Sequence, residues 1–180
     1  PVTASSLATP VITDSDGTKL DAAALTDNSL ATATKMARGS ADAPGNITLT
    51  YPKPISVQSA RLFMPHSKLP FRGAAYQPTL EAKVNGQWTK IADFYINEAS
   101  STAGFAPVTA SEFRMTLADN PVKRPGFDKP EDGAILIDFF AQKPTTHLDI
   151  AQLQLKAEPR LDRAEEKAGF DTAPAYHTII

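Results

Sequence analysis

At 180 residues, 42% of them hydrophobic, the chain is long enough for one compact domain with a real core, and its formal net charge of −2 leaves no basic footprint for nucleic acid or an anionic membrane. No apolar run approaches the roughly 20 residues that cross a bilayer. The absence of cysteine removes disulfides, thiolate metal sites and a cysteine nucleophile.

The chain starts at Pro1 without a methionine, which leads us to expect a processed or excised piece. Fifteen prolines against nine glycines favour many short elements over long helices. Residues 1–19 read as a lead-in. Within them Asp14-Ser15-Asp16-Gly17 has the opening of a calcium loop but not its later ligands or closing Glu, so a plain turn is expected. The stretch Leu20–Met36 is rich in small residues and Thr, with Asp27-Asn28 at a turn. Asn46-Ile47-Thr48 has the form of a glycosylation acceptor but opens a strand, and such tripeptides are common by chance.

Period-two alternation then marks the strands. Ile47, Leu49 and Tyr51 alternate with Thr48 and Thr50, whereas Ala60–Met64 reads as buried on both sides. Leu80, Ala82 and Val84 alternate with polar neighbours, and Asn85-Gly86 supplies a type I′ turn into Gln87–Phe94. In Phe105–Leu117 a stiff Pro-Val-Thr-Ala lead runs into Phe113, Met115 and Leu117, which alternate with Arg114 and Thr116. Ile135–Phe140 and Ile150–Leu155 complete the set, and Pro159–Phe170 has a helical composition with Gly169 as its C′ residue. The expectation is an all-β, antiparallel jelly-roll sandwich of about eight strands with a short C-terminal helix or tail, because alternation of this kind belongs to antiparallel sheets with one buried face. Two long connections interrupt it, Pro65–Pro78 and Ala118–Gly133, and loops of that length inside a compact domain are usually functional or mobile.

The order of these elements resembles the galactose-binding-like domains of the discoidin and coagulation-factor type C group, which include many carbohydrate-binding modules. LDAAALTDNSLATAT comes first, and Lys53–Leu62 carries the pattern K-P-x-x-V-x-x-x-R-L. Trp88 sits in a hairpin, Pro107–Arg114 reads P-V-x-A-x-x-x-R, and THLDIAQLQL closes the series. The resemblance covers residues 20–156, and 157–180 is then a helix or tail leading toward a neighbouring domain. The ending EPRLDRAEEKAGF is similar to the segment that follows such a domain in bacterial glycoside hydrolases of the α-L-rhamnosidase-like kind. That implies an accessory module of an extracytoplasmic enzyme acting on polysaccharide, with weak carbohydrate binding and neighbouring domains as its partners, and with no nucleic acid or membrane among them.

No catalytic constellation stands out. His66, His147 and His177 lie far apart, and there is no nucleophile elbow or phosphate loop. Glycoside hydrolysis needs two carboxyl groups flanking the sugar, and the adjacent pairs Glu131-Asp132 and Glu165-Glu166 read as surface charge. Carbohydrate recognition is the functional reading of the loops, since sugar C–H faces stack on aromatic rings and hydroxyls bind polar side chains. His66, Phe71, Arg72 and Tyr76 in the first loop, with Arg124 and Phe127 in the second, are the candidates. The competing reading has Phe71, Tyr76 and Phe127 pinning their loops to the sandwich, and it is the stronger because loop aromatics are commonly packing anchors. Trp88 is expected to pack in the core or in its hairpin. A structural calcium ion is the one cofactor the resemblance implies, held by Asp27 with Asn28 and Thr32 nearby. At the other end of that site Gln152 stands where the family carries a Glu, which weakens it.

Overall fold

The computed structural model describes residues 7–39, 42–65, 68–69, 73–74, 76–96, 99–119 and 146–169. In chain order the elements are β1 (Val11–Asp14), β2 (Lys19–Leu20), α1 (Ala22–Thr26), β3 (Thr34–Ala37), β4 (Gly45–Phe63), β5 (Lys68–Leu69) and β6 (Gly73–Ala74). They continue with β7 (Tyr76–Val84), β8 (Gln87–Asp93), β9 (Ser101–Asp119), β10 (His147–Ile150), β11 (Gln152–Lys156) and α2 (Ala164–Lys167). The main sheet runs β2-β1-β4-β9-β7-β8 with β11 also on β4, while β10 pairs β3 and β5 pairs β6, all antiparallel.

The 19-residue strands β4 and β9 organise this all-β sandwich. The expected strands Ile47–Tyr51 and Ala60–Met64 prove to be largely one strand, β4, with its register against β9 broken between Thr50 and Ile55. Tyr51-Pro52-Lys53-Pro54 fills that gap, and a proline has no N–H to give a ladder, so the pairing must lapse there. Before the break β4 pairs with β1; beyond it, with β11. The long strands therefore serve both layers. Inward residues from each half meet in a single core that includes Ile47, Leu49 and Val57 of β4, Leu80 of β7, Phe113 and Met115 of β9, and Leu153 of β11.

Other boundaries move for identifiable reasons. The lead-in is sheet from Val11 onward, because Ile12 is buried and β1 pairs with β4 along its whole length. The Leu20–Met36 stretch holds α1, whose N-cap Asp21 accepts from the backbone N–H of Ala23 at 2.9 Å and of Ala24 at 3.3 Å. The last strand is split at Ala151, whose N–H turns to the Phe63 carbonyl, so that β10 goes to β3 and β11 to β4. The late strand begins at Ser101 rather than Phe105, and Ile135–Phe140 lies outside the described residues.

Three turn readings hold as expected. Asn85 and Gly86 take φ of 51° and 79° and join Val84 to Gln87 in a two-residue hairpin. Gly169, at φ 82°, ends the last helix with its N–H on the Glu166 carbonyl. Asp14 makes a plain turn: its carboxylate accepts from the N–H groups of Asp16, Thr18 and Ala37.

Candidate functional site

Of the six residues expected to meet a sugar, the structure describes Tyr76. It opens β7 opposite Asp119, is 8% exposed, and lies under the Arg38 guanidinium, 5.6 Å from the ring centroid. Tyr76 is therefore largely enclosed where β7 begins, with a guanidinium over its ring. His66, Phe71, Arg72, Arg124 and Phe127 lie outside the described residues. The Pro65–Pro78 connection includes the short ribbon β5–β6, Lys68 opposite Ala74 and Leu69 opposite Gly73.

Trp88 packs on the outer face of the sheet, not in the core. The Arg114 guanidinium stacks 4.4 Å from its ring centroid, and the Lys83 ammonium stands at 5.7 Å. The same cations are paired. Arg114 Nε donates to Glu81 at 2.8 Å, Thr116 Oγ1 donates to the same carboxylate at 2.9 Å, and Lys83 Nζ donates to Glu112 at 3.0 Å. The Arg114 guanidinium, more than any other neighbour, holds the Glu81 carboxyl below its ordinary value of 4.5. A depressed carboxylate contributes stability above 4.5 that is lost as pH falls through the lowered value. Acid titration of unfolding should thus show a Glu81-dependent loss below pH 4.5, and Glu81→Gln should flatten it by about 1 kcal/mol or less, as befits a partly exposed pair. An unchanged acid limb in the variant would refute the assignment.

A cleft of about 470 Å³ opens between the first half of β4 and β11. Leu49, Tyr51, Leu153 and Leu155 form its apolar walls, Leu7–Pro10 and Thr26 flank it, and Lys156, Glu158 and Arg160 stand at its rim. Burial pushes the Tyr51 hydroxyl up to about 12, so it stays a neutral hydrogen-bond donor near neutral pH. Desolvation, with the charges of Arg160 and Arg61 nearby, draws the Lys156 ammonium below its ordinary value. Glu158 is the one acid on the lining, so the described residues offer this cleft no second carboxyl for glycoside hydrolysis. Its lining combines apolar side chains with two cations, one carboxylate and the buried Tyr51 hydroxyl. The sequence pattern hid it because its walls come from strands about 100 residues apart.

At the turn after α1, each of the three residues expected to hold calcium makes a contact with a neighbouring protein group. Asp27 Oδ1 accepts from the Ser29 N–H at 2.6 Å, and Thr32 Oγ1 lies 3.3 Å from Ser29 Oγ. Only Asn28, at φ 62°, reaches back toward β11, where it meets Gln154 and not Gln152. Gln152 is buried with its Oε1 accepting from Ser100 Oγ at 3.0 Å. The adjacent pair Glu165-Glu166 also divides. Glu165, 15% exposed at its side chain, accepts from Thr102 N and Oγ1 and faces Arg61, whereas Glu166 pairs with Arg163.

Among known proteins, no protein-family model and no curated sequence matches the chain. Solved structures do. A rhamnosidase from Novosphingobium sp. PP1Y aligns over 93% of this chain at 29% identity and a TM-score of 0.69, and the chain spans 13% of that protein's length. A family 32 carbohydrate-binding module of AlyQ, in complex with 4,5-unsaturated mannuronic acid, aligns over 84% of this chain and 98% of its own at 13% identity and a TM-score of 0.51. Chitosan-binding module 2 of a chitosanase/glucanase from Paenibacillus sp. IK-5, in complex with chitotriose, aligns over 82% and 96% at 11% identity and a TM-score of 0.53. Strand order, the long pair β4–β9 and these relatives agree: the chain has the galactose-binding-like β-sandwich fold that carbohydrate-binding modules share.

Proposed function

We propose that the chain is a non-catalytic, carbohydrate-binding accessory domain of a larger glycoside hydrolase of the α-L-rhamnosidase-like kind, working outside the cytoplasm. The observation that carries this reading is the match to the Novosphingobium rhamnosidase, near-complete for this chain and a small part of that enzyme. Binding as the activity is supported by modules of this fold that align over nearly their whole length and hold sugars. In this reading His66, Arg72 and Arg124 bind sugar hydroxyls or carboxylates, Phe71 and Phe127 stack on C–H faces, and Tyr76 fixes the base of the first loop. The role is to position polysaccharide beside catalytic carboxyls supplied by another domain.

A second reading, a structural spacer or protein-interaction sandwich with no small ligand, is favoured by the burial of Tyr76, which removes one of three stacking rings. Calorimetry separates the two. Titration with rhamnose- and galactose-containing oligosaccharides should give a dissociation constant near 1 mM, about −4 kcal/mol. Replacing Arg72 and Arg124 together by Ala should weaken it by about tenfold or more, since hydrogen bonds from charged groups are worth roughly 1.5–3 kcal/mol. Absence of heat with every sugar at millimolar concentration leaves the spacer.

A further inference from the structure

The resemblance implies a calcium ion between the turn after α1 and the last strand, and the residues there do not fit one. We propose that the side-chain amide of Gln154 closes this turn in place of a cation, so that the domain is locked without metal. Gln154 lies on β11 between Leu153 and Leu155 and is 3% exposed. Its Nε2 donates to the Thr26 carbonyl at 2.9 Å and to Asn28 Oδ1 at 3.1 Å.

Each contact has a local cause. The Thr26 carbonyl belongs to the last turn of α1 and lacks a partner within the helix. Asn28 tolerates the left-handed conformation that returns its side chain toward the strand. The orientation of the amide follows from its neighbours, because turning it over would set Oε1 against two other oxygens. As oriented, Oε1 is buried with no hydrogen-bond partner, so the two donor contacts are made at the cost of an unsatisfied acceptor.

A calcium ion needs six to eight oxygens at about 2.3–2.6 Å. Here a nitrogen donor stands between the Thr26 carbonyl and Asn28 Oδ1, Asp27 Oδ1 accepts from the Ser29 N–H, and Thr32 is engaged with Ser29. The amide does the mechanical work instead. It ties α1 and its turn to β11, and both Thr26 and Gln154 line the cleft.

Thermal unfolding of the 180-residue chain tests this directly, in chelator and across a calcium titration to millimolar concentration. The wild type should melt at one temperature throughout. Gln154→Ala should lower that temperature by about 3–6 °C, and Asn28→Gly, which keeps the φ 62° backbone but removes Oδ1, by a smaller amount. Calcium should move neither variant. If Gln154→Ala fails to fold, faster amide exchange over residues 22–32 in Asn28→Gly carries the same expectation. A saturable rise of the wild-type melting temperature with calcium, or a fall in chelator, overturns the proposal. So does an unshifted Asn28→Gly with wild-type exchange at that turn.

Discussion

Phe113→Ala should lower the free energy of unfolding by about 3–5 kcal/mol, a large share of the 5–15 kcal/mol typical of a domain. The side chain is fully buried at the middle of β9, which pairs with β4 on one side and β7 on the other. Leu49 and Ala82 are its cross-strand partners, and the Tyr51 ring meets it edge to face, with centroids 6.1 Å apart. Truncation leaves a void ringed by β-strands that cannot close it without breaking ladder hydrogen bonds, so the cavity term stays near its upper range. It also strips the Tyr51 ring of its partner at the wall of the cleft. Urea unfolding should show a lower midpoint with an unchanged slope. Leu117→Val, in the same strand, should cost about a third as much. A midpoint for Phe113→Ala within 1 kcal/mol of wild type would mean that the two layers do not meet at this ring.

Phe113 also shows what was legible in advance. Its strand is written in period two, and nothing in the tertiary structure overrides that period, so both the strand and its inward face could be read directly. The Asn85-Gly86 turn was equally plain, because few residue pairs accept two positive φ angles. The continuity of β4 was not, since Pro52 and Pro54 look like a strand end yet fill a break in register within one strand. The helix α1 carried a visible signal, an Asp before Ala-Ala-Ala-Leu, and was obscured by its five-residue length. Gln154 could not have been singled out from Gln152. The two are alike in type, face and burial, and only the path of the turn after α1 decides which one it meets.

The second large effect is expected at Gly104. Past β11 the chain folds back, and residues 157–169 form a strap across the N-terminal half of β9. On its other side that half pairs with β4, and among the described residues it is the strap that meets its outer N–H and C=O groups. The strap satisfies them in turn. Arg163 N–H donates to the Thr102 carbonyl at 2.8 Å, Glu165 accepts from Thr102 N at 3.0 Å and Oγ1 at 2.7 Å, and Asp162 Oδ1 accepts from Gly104 N at 3.2 Å. Ser59 Oγ and Gln58 Nε2 fasten its beginning through the carbonyls of Glu158 and Ala157. This close approach requires glycine at 104, where a Cβ would stand 2.4 Å from the Arg160 carbonyl oxygen, a backbone atom that can yield only if the strap moves. Gly104→Ala should therefore lift the strap and cost about 2–3 kcal/mol, matching Glu165→Ala, which removes its charged acceptor directly. Hydrogen exchange separates this local event from global loss: amides of residues 101–104 and 163–168 should exchange faster in both variants while those of β7 and β8 keep their rank. Wild-type exchange in the strap of Gly104→Ala would show that the backbone approach at this glycine is not what holds it down.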